Sequence, residues 1–193
     1  MTSGCNDSNG GLKGCYDSLF RKLSSSYSSV RKQNVSVRIE LNGLEVDITP
    51  ARKQTGNGNY HSLYVSKSGS WTQTNIQRHI TDISQSGRTN EIKVLKIWRE
   101  LHQIDFPSIY MEYLLVNNIL LNKSKNLDSL GDNVWHAFHE LAKTQGNPLF
   151  ARIVDPANSN NILSDLLTST EKNEVIKKAQ IAINQNNWNQ IVW

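Results

Sequence analysis

The sequence has little cysteine and no long apolar run. Its two cysteines, Cys5 and Cys15, are too few for a disulfide framework or a metal-ligand motif, and such sparing use favours a reducing compartment. No stretch reaches the length needed to cross a membrane, and the opening residues MTSGCNDSNGG lack the apolar segment of a signal peptide. We therefore expect a cytoplasmic protein without a membrane partner.

Several common catalytic motifs are missing as well. The chain has no glycine-rich phosphate loop, no GxGxxG and no GxSxG. His139-Glu140 begins like the helix of a zinc protease, but Lys143 stands where the second histidine is needed. The net charge of +4 is mildly basic, which favours a phosphate-bearing partner without requiring one.

The first part of the chain is patterned as a helix followed by strands. Helical spacing of apolar residues over 12–29 predicts an amphipathic helix. Apolar and polar residues then alternate in VSVRIEL (35–41) and LEVDIT (44–49), the period of a half-buried strand. Asn42-Gly43 between them indicates a two-residue hairpin turn, and HSLYVSK (61–67) predicts a further strand.

After Thr72 the pattern becomes helical. Helical segments are predicted at 75–86, 88–103, 107–121 and 128–144, with one or two closing helices within 161–187. We expect the helix after Pro107 to be buried because it is apolar nearly all round.

The two patterns together predict an α+β fold in two parts. Residues 1–73 form a small antiparallel sheet with one helix, after a loose polar tail at 1–11. Residues 74–193 form a helical bundle.

The polar face of the predicted hairpin carries four charged residues. A two-residue turn places Glu40 opposite Glu45, and Arg38 opposite Asp47. One interpretation is a solvated face with an Arg38–Asp47 ion pair. The other is a carboxylate-rich face that binds a divalent cation, which would relieve the repulsion between the two glutamates.

Two helices carry candidate binding residues. Lys93, Lys96 and Arg99 lie opposite the apolar side of the 88–103 helix, either as a solvated stripe or as a phosphate-binding one. Ser108 and Glu112 share one face of the next helix. Ser108 could cap that helix or contact a ligand, whereas Glu112 needs a partner and fits a structural role.

Four segments, in order, are similar to one enzyme family. VRIELNGLEVDITPARK (37–53) resembles the hairpin that bears the third catalytic carboxylate of the DNA polymerase β-type nucleotidyltransferases. NEIKVLKIWRELHQ (90–103) and FPSIYMEYLLV (106–116) look like two family helices that contact the nucleotide. IVDPANSNN (153–161) is similar to a late turn of oligoadenylate synthases, so the resemblance is to the branch with oligoadenylate and bacterial cyclic-oligonucleotide synthases.

The resemblance implies both a fold and a reaction. Residues 1–73 would be the C-terminal part of a polymerase β-like palm, and 74–193 the helical domain. Such enzymes transfer a nucleoside monophosphate from NTP to a hydroxyl, on RNA or a nucleotide acceptor, and release pyrophosphate with two Mg²⁺ (or Mn²⁺) ions. By this resemblance Asp47 is a catalytic metal ligand, Lys96 contacts the triphosphate and Ser108 positions the donor nucleotide.

The sequence departs from the family in one respect. The first two family carboxylates follow a Gly-Ser turn in a D-x-D strand, and nothing here supplies them. We therefore expect a chain that lacks this N-terminal part and is inactive alone. The rival hypotheses are a non-catalytic nucleotide- or RNA-binding module and an inactive remnant.

Overall fold

A computed structural model describes residues 11–56 and 58–192. The loose tail predicted at 1–11 therefore lies almost entirely outside the described residues. The chain forms two compact units, Met1–Gln77 and Arg78–Trp193. We describe each unit by itself.

In its described residues, the first unit has helix α1 and two three-stranded antiparallel sheets, ordered β1-β2-β3 and β4-β5-β6. Its elements are α1 (Gly11–Ser24), β1 (Val30–Lys32), β2 (Val37–Leu41), β3 (Leu44–Ile48), β4 (Ala51–Lys53), β5 (His61–Val65) and β6 (Ser70–Thr74). The predicted hairpin is confirmed, since Leu41 pairs with Leu44 across a two-residue turn. Asn42 and Gly43 both adopt positive φ there, 52° and 78°, which suits the Asn-Gly pair.

Burial in the hairpin differs from the sequence pattern on β3. Val37 and Ile39 of β2 are buried, as expected for the apolar side of that strand. Leu44 and Val46 lie on the same face, since Val46 is paired with Ile39, but Leu44 is 69% exposed and Val46 is exposed too. β3 is an edge strand of its sheet, and its apolar face is left largely uncovered by the described residues.

Helix α1 is shorter than the predicted 12–29 segment. It ends at Ser24, where a serine-rich stretch begins, and the Ser25 hydroxyl donates to the Lys22 carbonyl oxygen at 2.7 Å. Serine side chains that bond the backbone in this way compete with helix propagation. Cys15 on α1 is disulfide-bonded, and the chain's other cysteine, Cys5, lies outside the described residues.

The second unit is mainly helical, as predicted. Its elements are α2 (Ile76–Gln85), α3 (Thr89–Leu101), α4 (Ser108–Leu114) with a π-helical turn (Leu115–Ile119), α5 (Leu130–Leu141), β7 (Val154–Asp155), β8 (Asn158–Ile162) and α6 (Ser169–Ile183). The closing helix lies within the predicted 161–187 segment and begins at Ser169. Before it, Asn158–Ile162 pairs with Val154–Asp155 as a short antiparallel ribbon that was not predicted.

Helix α4 lies in the middle of the apolar core of the second unit. Its buried side chains pack with those of α3 and α5, and the cluster includes Trp98, Tyr110, Met111, Leu114, Leu115, Phe138 and Leu141. Trp98 and Phe138 meet edge to face with ring centroids 5.1 Å apart. Within the described part of the chain, no helix is both long and apolar enough to span a membrane.

Candidate functional site

Asp47 lies in a bidentate ion pair on the polar face of the hairpin. Arg38 Nε donates to one carboxylate oxygen and Arg38 Nη2 to the other, both at 2.9 Å. Hydrogen bonds from Arg38 lower the pKa of Asp47, although partial burial opposes this shift. Asp47 is thus a carboxylate whose two oxygens are both occupied by one arginine.

A second arginine extends this pair into a network. Glu45 accepts from Arg38 and also from Arg31 Nη2, the latter at 2.5 Å. Glu40 lies directly opposite Glu45, as predicted. The hairpin network of Arg31, Arg38, Glu45 and Asp47 neutralises its own carboxylates, and so removes the repulsion that suggested a bound cation.

The donors on this face do not fit a metal ion as they are arranged. Across residues 11–56 and 58–192, no group of three or more His, Cys, Asp or Glu side chains is placed to hold one. Mg²⁺ in such enzymes is normally bound by one or two carboxylates plus substrate phosphates. A cation at Asp47 would have to displace Arg38 first.

Lys96 and Glu112 form an ion pair between α3 and α4. Lys96 Nζ lies 2.5 Å from Glu112 Oε1, and both side chains are partly buried. The expectation that Glu112 needs a partner on an apolar helix is confirmed, and Lys96 is that partner. The packing of α3 on α4 therefore brings Lys96 beside the helix that begins at Ser108.

Arg99, three residues after Lys96, makes a second contact between α3 and the start of α4. Its Nη1 donates to Ser108 Oγ at 2.7 Å and to the carbonyl oxygen of Phe106 at 3.0 Å. Ser108 is the first residue of α4, and Pro107 occupies the N-cap position before it. Lys96, Arg99, Ser108 and Glu112 together form what we call the Lys96–Ser108 cluster.

Arg99 is the member of this cluster whose contact the sequence did not reveal. Arg99 follows Lys96 by three residues, so both lie on one face of α3. This spacing was the sequence feature from which a role for Arg99 could have been predicted. The third member of that stripe, Lys93, is exposed. Of the predicted site residues, the fold thus groups Lys96 with Ser108, while Asp47 belongs to the other unit.

The DP turn of the second unit is built around a buried carboxylate. Asp155 accepts from the Ala157 amide at 2.8 Å and from Asn161 Nδ2 at 2.9 Å, and lies 2.8 Å from His79 Nε2. Burial raises the pKa of Asp155, but the hydrogen bonds from His79, Asn161 and Ala157 together lower it. This arrangement ties α2 to the β7–β8 ribbon and accounts structurally for the DPANSNN segment.

Comparison with solved structures relates this fold to one enzyme group. One similar structure is E. coli MS115-1 CdnC in complex with HORMA-deltaN, with a TM-score of 0.64 and 21% sequence identity. The match covers 93% of this chain and 66% of the CdnC chain. Another is the Bradyrhizobium diazoefficiens CD-NTase CdnG in complex with GTP, also with a TM-score of 0.64 and with 11% sequence identity. This match covers 94% of this chain and 71% of the CdnG chain. The chain has the CD-NTase fold. The resemblance to bacterial cyclic-oligonucleotide synthases is thereby confirmed at the level of the fold.

The match covers nearly all of this chain but only about two thirds of the longer proteins. E. coli MS115-1 CdnC with ATP is 21% identical, with a TM-score of 0.62, and covers 95% of this chain and 67% of that chain. The chain thus spans about two thirds of the length of CdnC. No protein-family model matches the chain, and neither does any curated protein.

Proposed function

We propose that this chain provides the nucleotide-binding part of a nucleotidyltransferase that transfers a nucleoside monophosphate from NTP to a hydroxyl and releases pyrophosphate. One observation carries the proposal: two residues expected to contact nucleotide, Lys96 and Ser108, both lie where α3 meets α4, Lys96 in an ion pair with Glu112 and Ser108 in a hydrogen bond from Arg99. The CD-NTase fold supports it, since structures with this fold are described with ATP and with GTP.

The chemistry of the cluster suits a triphosphate. Lys96 offers an ammonium group as a point charge, and Arg99 offers a planar guanidinium able to hold two phosphate oxygens. Glu112 holds the ammonium at the α3–α4 surface until a phosphate takes it over. Ser108 Oγ already accepts from Arg99, so its hydroxyl hydrogen is available to donate to an oxygen of the nucleotide.

Asp47 remains our proposal for the third catalytic carboxylate. Hard carboxylate oxygens are the ligands that Mg²⁺ or Mn²⁺ prefers. In the present arrangement the hairpin network occupies both Asp47 oxygens, so the described residues do not fit the metal and no catalytic step follows from them. A metal-binding role for Asp47 requires that Arg38 release it.

The proposal is tested by measuring ATP and GTP dissociation constants for the 193-residue chain by isothermal titration calorimetry. Lys96→Ala should weaken binding about 10- to 100-fold, because a hydrogen bond to a charged group contributes ~1.5–3 kcal/mol. Ser108→Ala should weaken binding less, since it removes a neutral hydroxyl. Lys93→Ala is the matched control, as an exposed lysine of the same helix outside the cluster.

A second variant separates binding from stability. Lys96→Ala leaves Glu112 partly buried without its cation, which lowers stability as well. The double variant Lys96→Met with Glu112→Gln removes both charges and keeps the volume, so it should melt nearer to the parent chain while still binding NTP weakly. Parent-like affinity in both Lys96 variants would remove this cluster from the nucleotide site.

A second function is favoured by the Arg38–Asp47 pair. A chain whose catalytic carboxylate is held by an arginine would bind nucleotide without turning it over, as a non-catalytic nucleotide- or RNA-binding module does. Both functions predict NTP binding through Lys96. Only the first predicts pyrophosphate release once further carboxylates are supplied to complete a metal site with Asp47.

A further inference from the structure

The net positive charge of the chain comes entirely from the first unit. Residues 1–77 contain nine Lys and Arg against five Asp and Glu, whereas residues 78–193 contain twelve of each. The whole net charge of +4 therefore comes from the 77 residues of the first unit. An excess of this sign on one unit attracts polyanions to that unit.

A cleft of about 400 Å³ opens in this unit between the start of α1 and the β4–β6 sheet. Its wall includes Leu12, Lys13, Arg52, Ser62, Tyr64 and Trp71. The strand register explains why these side chains meet. Arg52 is paired with Ser62 and Tyr64 with Trp71, and directly paired residues of an antiparallel sheet share a face.

The cleft presents one fixed and one exposed aromatic ring. Tyr64 is held by the buried Tyr16 of α1, with ring centroids 5.4 Å apart. Trp71, directly opposite Tyr64, is 60% exposed. An indole ring this exposed offers its flat surface to a ligand with a π-face.

Two cations line the same cleft. Arg52 belongs to β4, and Lys13 pairs with Asp17 at 2.5 Å while staying largely exposed. Lys32 holds the other oxygen of Asp17 at 2.6 Å. Lys13 can therefore turn to an anion in the cleft while Lys32 keeps Asp17 neutralised.

We propose that this cleft binds a single strand of nucleic acid, with a base stacked on Trp71 and phosphates held by Arg52 and Lys13. Aromatic stacking beside a basic groove is the usual chemistry of sequence-tolerant single-strand binding. A duplex does not suit the cleft, because its bases are stacked on one another. The proposal does not rest on the nucleotidyltransferase, since no residue of the cleft belongs to the Lys96–Ser108 cluster.

The test is fluorescence anisotropy of the 193-residue chain with labelled oligo-rU and oligo-dT of about 12 nucleotides, within the usual range of such sites. Trp71→Ala should weaken binding about 5- to 150-fold, the equivalent of ~1–3 kcal/mol per stacked base. Trp71→Phe should retain much of the affinity. Arg52→Ala should make binding less sensitive to salt, reducing the magnitude of the negative slope of log affinity against log salt concentration by about 0.7.

Matched variants in the second unit serve as controls. Trp188→Ala removes another exposed tryptophan, and Lys177→Ala removes an exposed lysine that pairs with Glu174 much as Lys13 pairs with Asp17. Both should bind like the parent chain. The rU and dT strands should bind within a few-fold of each other, because the proposed contacts are to base faces and phosphates.

Three results would overturn the proposal. The first is parent-like affinity in both Trp71→Ala and Arg52→Ala, with parent-like melting temperatures. The second is competition by a duplex of the same length as strong as that by the single strand. The third is competition by ATP alone at the same concentration as the oligonucleotide, which would make the cleft a mononucleotide site.

Discussion

At the scale of single residues, the low pKa of Asp47 depends chiefly on Arg38, with a smaller contribution from the charge of Arg31. Arg38→Ala should raise the pKa of the Asp47 carboxyl towards its ordinary value, because the hydrogen bonds from Arg38 are the largest cause of the lowering. Carboxyl carbon shifts followed by NMR over an acid titration measure this pKa. Lys177→Ala, which breaks an exposed pair in the other unit, should leave it unchanged.

The same pair makes stability depend on pH in a definite direction. The folded pKa of Asp47 is below its unfolded value of ~3.9, so the pair stabilises the fold above about pH 4, and this contribution is lost as the pH falls through the lowered pKa. Both side chains are partly exposed, so the contribution is about 0.2–1 kcal/mol. In Arg38→Ala this part of the acid sensitivity should vanish. An unchanged Asp47 pKa in that variant would show that the pair does not form in solution.

The residue contacts differ in how far the sequence could predict them. The Arg38–Asp47 pair follows from the two-residue turn alone, because the turn fixes the register. The Lys96–Glu112 and Arg99–Ser108 contacts join two helices, and their partners depend on how α3 packs on α4. Sequence spacing predicts which residues share one face of α3, but it does not predict which residue of α4 each of them contacts.

At the scale of elements, α4 should be the most sensitive part of the second unit. Leu114 is fully buried in its core, so Leu114→Ala should lower the free energy of unfolding by about 2–5 kcal/mol. Leu121→Ala, at a position 61% exposed just beyond the same segment, should cost less than about 0.5 kcal/mol. Urea denaturation followed by tryptophan fluorescence measures both. A loss below about 1 kcal/mol for Leu114→Ala would mean that α4 is peripheral.

The elements that the sequence predicted poorly share a physical cause. Periodicity reports which side of an element is apolar, and it was correct for α3, α4 and β2. It does not report whether that side is covered, so Leu44 and Val46 lie on the apolar face of β3 and are nevertheless exposed. It also missed β8, which is almost entirely polar and is held beside β7 by the hydrogen bonds of Asp155 rather than by apolar burial.

At the scale of the whole molecule, the change of period along the chain predicted the α+β class. Alternation with period two gives way to helical spacing after β6, and the structure follows that order. The division of the strands into two sheets was less predictable. Pro50 between β3 and β4 marks the break, because proline lacks the amide hydrogen that would continue a ladder.

The last prediction concerns the activity of the 193-residue chain as a whole. With NTP and Mg²⁺ it should release pyrophosphate no faster than a sample without protein. Two-metal catalysis needs both ions fixed beside the triphosphate, and this requires several oxygen ligands held together. The proposed ligand is Asp47, and both of its oxygens accept from Arg38. Among the described residues, no three His, Cys, Asp or Glu side chains are grouped so that they could hold a metal ion.

A coupled pyrophosphate assay with ATP and with GTP measures this activity, and NTP binding to the same sample shows that the chain is folded. Asp47→Asn should then leave the background rate unchanged, because there is no catalysis for it to remove. Pyrophosphate release that requires Mg²⁺ and stops in Asp47→Asn would contradict the prediction. It would mean that substrate opens the Arg38–Asp47 pair, and that Asp47, with Glu45 two residues before it on the same face of β3, holds the metal after all.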